Sequence, residues 1–223
     1  MSVIHQPFSG NKLSNDGGFT LLELMVVVSL AAILLGIAIP SFNATIRSNR
    51  LTTNANELVT ALNIARSEAV KRGQMVVVRK PVGVGTKWEN GWQVFVDVDR
   101  STAAFTDNFN DNGNAALCEA TEDCLLRIYP AIQATFTLRS TNFPTSITFT
   151  PSGQGQINNI TTSGNFGICD NRDGNGLPEA NTSRLIMVNS TGRVRMGLDA
   201  NNDGIPNTDN VNSTASNITT CTP

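Results

Sequence analysis

Residues 16–42, DGGFTLLELMVVVSLAAILLGIAIPSF, limit what this chain can become more than any other stretch. Residues 19–39 form a run of 21 with a single charge, Glu23. As an α-helix rising about 1.5 Å per residue, such a run is roughly 32 Å long, the thickness of a bilayer's hydrocarbon core. A secretory signal would have a basic start, a shorter apolar run and a small-residue exit. Here only Lys12 precedes the run, which leaves through Ile39, Pro40 and Ser41. A plain anchor accounts for the length but not for Glu23, because an unpaired acid at membrane depth costs about 2–3 kcal/mol or more. Pro40 lacks an N–H to bond back to Gly36, so residues 36–40 are the weak point of the helix.

GFTLLE, followed by an apolar run and Pro40, resembles the N-terminus of type IV pilins and type II secretion pseudopilins. The resemblance implies cleavage by a prepilin peptidase between Gly18 and Phe19, then methylation of the new amino terminus. It makes Glu23 the fifth and Pro40 the twenty-second residue of the mature chain, the positions that family uses. It also implies a partner for Glu23: the cationic N-terminus of a neighbouring pilin, met as helices pass from the inner membrane through an assembly platform into a filament. Such a pair sets register, since a slipped neighbour leaves two charges buried and unpaired.

Beyond Pro40 the period is still helical. Leu51, Ala55, Leu58, Leu62, Ala65 and Ala69 step by fours and threes along one face, and the stripe should cover a sheet. Lys71 and Arg72 suit the carboxyl end of the helix dipole, and Gly73 is a plausible stop. The pattern then turns to β: residues 74–80, 91–99, 124–130, 134–140, 146–151, 165–170 and 184–197 read as strands or hairpins. Strands that follow one another without helices between them argue for antiparallel pairing. ARSEAVKRG (65–73), NGWQVFVDVDR (90–100), SITFTPSGQG (146–155) and RLIMVNSTGRVR (184–195) resemble shared segments of the GspH/FimT group of minor pseudopilins and minor pilins. The fold class expected is therefore α+β and pilin-like, a long N-terminal helix packed on an antiparallel β-sheet head. The layout expected is a cleaved leader (1–18), a membrane and filament-core helix (19–40), an amphipathic helix (41–73), a β head (74–197) and an Asn-rich tail (198–223). The resemblance places the precursor in a bacterial inner membrane with its head in the periplasm, and the mature chain in a pilus or pseudopilus.

His5 is the only histidine and lies in the leader, so the mature chain has no Ser-His-Asp or Cys-His system and no His-ligated metal. No phosphate-binding or dinucleotide fingerprint is present. The chain reads as a non-enzyme without a cofactor. Its four cysteines, Cys118, Cys124, Cys169 and Cys221, fit no zinc spacing and suit an oxidising compartment. Three connectivities are open. The pairing taken as an expectation joins Cys118 to Cys124 across a short loop and Cys169 to Cys221 at the C-terminus.

Charge is divided along the chain. Residues 41–87 hold eight Lys/Arg and two acids, a net of +6, whereas residues 88–223 hold seven Arg and fourteen acids, a net of −7. Any anion site on the head must therefore be local. One such site is offered by TGRVRMG (191–197): after a turn at Gly192, Arg193 and Arg195 should share one side of a strand, about 7 Å apart. Arg184 lies on the strand before the turn, and residues 180–198 contain three Arg and no acid. Two guanidinium groups so spaced suit successive phosphates, and without an aromatic neighbour the binding would be sequence-independent and salt-sensitive. The G-R-x-R segment also looks like the DNA-contacting motif of FimT-type minor pilins, which implies DNA uptake and natural transformation. The alternatives are a minor pseudopilin of a type II secretion system, or a structural tip or priming subunit without a DNA ligand. A third reading is calcium. Asp199, Asn201 and Asp203 alternate before Gly204 as in an EF-hand loop, but the twelfth position is Asn210 rather than a bidentate Glu. Turn formation by Asn, Asp and Gly is the more ordinary account of this loop. Long acidic or Asn-rich stretches at 101–124 and 198–223 depart from the group, and the second follows the arginines directly.

Overall fold

The computed structural model describes residues 18–98, 109, 123–174, 176–208 and 217–221. Helix α1 spans Leu21–Arg72 and contains Pro40 without a break in its helical assignment. Its start is a capping arrangement. The Thr20 hydroxyl accepts the Glu23 amide at 3.2 Å, and the Thr20 carbonyl accepts that of Leu24 at 3.1 Å. Glu23 thus stands in the first turn, where the helix dipole favours an acid, so the charge is less uncompensated than its apolar surroundings suggest. At the other end Gly73, at φ +66°, donates to the Ala69 carbonyl, and Glu68 pairs with Lys71 and Arg72.

The chain divides into two compact units, Met1–Ala44 and Thr45–Pro223. In the first, every large apolar side chain of the membrane-length run is exposed, Leu34 and Ile37 among them. A helix apolar on all sides needs hydrocarbon or other helices around it.

In the second unit the expected stripe is buried: Leu51, Ala55, Leu58, Leu62, Ala65 and Ala69, joined by Ala61. Truncating one of its leucines, Leu58→Ala for instance, would cost about 2–5 kcal/mol. The stripe packs on two antiparallel sheets through one core. Strands β1 (Met75–Arg79), β2 (Trp92–Asp97), β3 (Cys124–Tyr129), β5 (Ser146–Phe149), β6 (Gly155–Ile157) and β7 (Ile160–Thr161) form the larger, in the order β3-β2-β1-β5-β6-β7. Strands β4 (Phe136–Arg139), β8 (Gly164–Asp170), β9 (Ser183–Val188) and β10 (Val194–Met196) form the smaller, in the order β10-β9-β8-β4. The fold is α+β, with the helix packed on antiparallel strands as expected. The sequence did not indicate the division into two sheets. Strands β6 and β7 were also unexpected; they join at Asn158 and Asn159, both at positive φ, a tight turn for which asparagine is suited.

The Trp88 indole donates to the Phe143 carbonyl at 2.8 Å and meets the Phe166 ring edge-on at 5.0 Å. Beside it Glu89 forms an ion pair with Arg139 of β4, and both side chains are largely buried. Each sheet also carries apolar residues on the face away from the helix. Phe95 of β2 meets the ring of Phe109 at 5.2 Å, and Leu185 and Met187 of β9 pack with Cys169, Ile218 and Cys221. Phe109 on one sheet, and Ile218 and Cys221 on the other, thus lie against outer apolar faces.

Candidate nucleic-acid interface

The basic patch rests on a pair of matching hairpins. Between β5 and β6 the loop is Pro151, Ser152 and Gly153, closed by Thr150 N–H to the Gln154 carbonyl at 3.0 Å. Between β9 and β10 it is Ser190, Thr191 and Gly192, closed by Asn189 N–H to the Arg193 carbonyl at 3.1 Å. Both are three-residue loops ending in a left-handed glycine, at φ +79° for Gly153 and +73° for Gly192. Thr150 and Asn189 cap their loops alike: the Thr150 hydroxyl accepts the Gln154 amide, and the Asn189 carboxamide oxygen accepts the Arg193 amide. The glycines meet, and a Cβ on Gly192 would collide with the Gly153 carbonyl. Arg66 of α1 spans both loops, donating from Nε to the Gly153 carbonyl at 3.0 Å and from Nη2 to that of Thr191 at 3.2 Å.

From this platform β10 runs antiparallel to β9, with Arg195 opposite Met187 and Met196 opposite Ile186. Ile186 belongs to the core beneath the helix, so Arg195 lies on the outer face, and strand alternation carries Arg193 to the same side. Both are exposed, and neither guanidinium enters a hydrogen bond or an ion pair among the described residues. Arg195 borders an open groove of about 430 Å³, together with Asn142, Ser163, Asn165, Asn189 and Thr208. The described part of the tail packs beside the arginines, over Leu185 and Met187, and leaves both exposed.

Arg184 does not join them. It stands opposite Ile168 on the helix-facing side of β9, where it donates to Ser48 Oγ at 3.1 Å and to the Ser183 carbonyl at 2.7 Å. Burial lowers its pKa from the usual arginine value. Position 184 has the parity of the core-facing Ile186 and Val188, so the strand period itself separates it from the patch. The candidate interface holds two arginines, not three. Sequence reasoning missed Arg66 as its support; the one signal was a long cation on the flank of the apolar stripe, four residues after Leu62.

The other candidate residues lie elsewhere. Gly18, Phe19 and Glu23 are exposed at the start of the N-terminal unit, and Pro40 lies within its helix. Cys169 and Cys221 are joined, as in the expected pairing. Cys124 is also disulfide-bonded, and its expected partner Cys118 lies outside the described residues. In the loop read as EF-hand-like, Asp199 accepts the amides of Asp203 at 3.1 Å and Gly204 at 2.7 Å, and Asp203 accepts that of Ile205 at 2.8 Å. Asn201 and Asn217 also donate to Asp203. These are the bonds of a turn built by its own carboxylates. Position 210 lies outside the described residues.

Residues 54–192 match the family model described as Type II transport protein GspH. The chain belongs to the GspH family. Residues 13–39 match the prokaryotic N-terminal methylation motif. With the exposed apolar helix, that motif fits a pilin anchored in the inner membrane. The GspH match ends at the turn, short of Arg193 and Arg195. The chain is also 37% identical over 82 residues to the pilin-like protein PilA1 of Thermus thermophilus, a match covering 36% of this chain and 47% of that protein. It thus spans about half the length of that relative. Two crystal forms of the type IV minor pilin FimU of Pseudomonas aeruginosa are similar in fold. One has TM-score 0.46 and 22% identity over 67% of this chain and 90% of FimU; the other has 0.44 and 21% over 66% and 93%.

Proposed function

We propose that this GspH-family chain is a minor pilin. A prepilin peptidase cuts after Gly18, the inner-membrane platform assembles the chain with other pilins into a type IV pilus, and its head holds DNA by the phosphate backbone. The role is structural and adhesive rather than catalytic. The observation that carries the DNA part is the pair Arg193 and Arg195, exposed and unpaired on one face of a braced hairpin within an otherwise acidic head. The braced turn fixes the backbone from which both side chains leave, so only their side-chain freedom is lost on meeting phosphates. The test uses the full chain in detergent micelles, titrated with labelled duplex DNA at several salt concentrations. Binding should weaken as salt rises, and replacing both arginines by alanine should weaken it further and flatten the logarithmic salt slope by about two. Equal binding by that double variant would exclude the patch.

A second reading has its own support. The matched model is described by type II transport, and its match stops before the two arginines. On that reading the chain is a minor pseudopilin or a tip subunit without a DNA ligand, and its basic stem and acidic head serve neighbouring subunits. Neighbouring genes for a secretin and secretion components favour this reading; genes for minor pilins favour the pilus.

A further inference from the structure

We infer that Arg66 is a positioning residue for the DNA-contacting pair, an inference that rests on the proposed phosphate-binding role of Arg193 and Arg195. The guanidinium of Arg66 is already engaged, because its Nε and Nη2 donate to the carbonyls of Gly153 and Thr191. Those carbonyls belong to two different hairpins, which meet glycine against glycine at Gly153 and Gly192. A hairpin at the edge of a sheet is held on one side only. β10 pairs with β9 through three residue pairs and is an edge strand, so beyond the contact at Gly153 its turn is held firmly only by a further attachment. Arg66 supplies that attachment from the rigid helix. Arg193 follows Gly192 directly, and its own amide is held by Asn189. A fixed turn therefore fixes where the first guanidinium leaves the backbone, and strand β10 carries that placement on to Arg195. The geometry divides the labour: Arg66 faces the protein, whereas Arg193 and Arg195 face solvent.

A planar fork is needed for this task. Lysine keeps the charge but donates from a single nitrogen and cannot reproduce the two-carbonyl bridge in the same geometry. The full chain in detergent micelles is therefore compared as Arg66→Ala, Arg66→Lys and Arg193→Ala/Arg195→Ala, and as the triple variant. Two measurements are made: hydrogen exchange across residues 189–196, and duplex DNA affinity as a function of salt, below the onset of thermal unfolding. Both Arg66 variants should exchange faster at the turn, bind DNA more weakly and show a salt slope flatter by about one phosphate contact. In the chain already lacking Arg193 and Arg195, removing Arg66 should change DNA binding no further.

Unchanged exchange at the turn in Arg66→Ala, or unchanged DNA affinity while the arginine pair proves essential, overturns the positioning role. Full affinity in Arg66→Lys shows that charge alone matters and overturns it as well. A further loss in the triple variant makes Arg66 a DNA contact rather than a support. Undiminished binding by Arg193→Ala/Arg195→Ala defeats the DNA reading itself and takes this inference with it.

Discussion

The carbonyl oxygen of Gly153 stands where a Cβ on Gly192 would have to go, so the two hairpin turns touch through their glycines. Gly192→Ala should therefore cost about 2 kcal/mol or more, combining left-handed backbone strain with a backbone clash. Gly83, at φ +84° with open space around it, is the control, and Gly83→Ala should cost about 1 kcal/mol. Urea unfolding followed by the fluorescence of Trp88 and Trp92 measures both. Equal losses at the two positions would mean that the turns do not rely on this contact.

Glu89 and Arg139 form an ion pair with 16% and 12% of their side chains exposed. Glu89 also accepts the Leu138 amide at 3.4 Å. Removing one partner strands the other charge away from water. Glu89→Ala should destabilise the head by about 3 kcal/mol or more, whereas a paired replacement by apolar residues of similar volume should be milder. Urea midpoints of the single and paired variants test this, and a single variant as stable as the parent would refute it.

The Cys169–Cys221 bond spans 52 residues and holds the tail over Leu185 and Met187. By loop-closure entropy its removal should cost about 4 kcal/mol. Cys221→Ser should lower the urea midpoint and raise the binding of an apolar dye as the face opens. A tail that stayed protected from exchange in this variant would show that packing of Ile218 suffices.

Hydrogen bonds from Asn217 and the Ile205 amide hold the Asp203 carboxyl below its usual range. A depressed carboxyl stabilises the fold above the unfolded value of about 4, and that stabilisation is lost as pH falls through the folded value. The attachment at Asn217 should therefore loosen in acid, seen as lower exchange protection at residues 217–221 relative to the intrinsic rate at each pH, and Asp203→Asn should abolish that pH dependence. A chelator should leave the melting temperature of the head unchanged. A chelator-induced drop would assign the loop to calcium instead.

What was legible in the sequence follows the strength of each local pattern. The helix was readable because its stripe from Leu51 to Ala69 keeps one period for five turns. The strands from β1 to β5 were readable because runs such as MVVVR are too branched and too apolar for anything else. Strands β6 and β7 are three and two residues long, shorter than a period-2 pattern needs to declare itself. The division into two sheets depends on pairing between distant segments, which local patterns do not encode. At the site, Arg193 and Arg195 were legible as alternate residues of one strand. Arg184 falls outside the patch because charge along the chain does not encode the face, whereas strand parity sets it on the side of Ile186 and Val188. Arg66 was missed because its partners are backbone carbonyls 87 and 125 residues away.

The proposed filament role requires that this chain leave its leader behind and enter a filament through its exposed apolar helix. The most direct test is the intact mass of the protein recovered from cells with a working filament system. The expected product begins at Phe19 and carries a methyl group on its amino terminus. A chain that still bears residues 1–18 under those conditions would contradict that role.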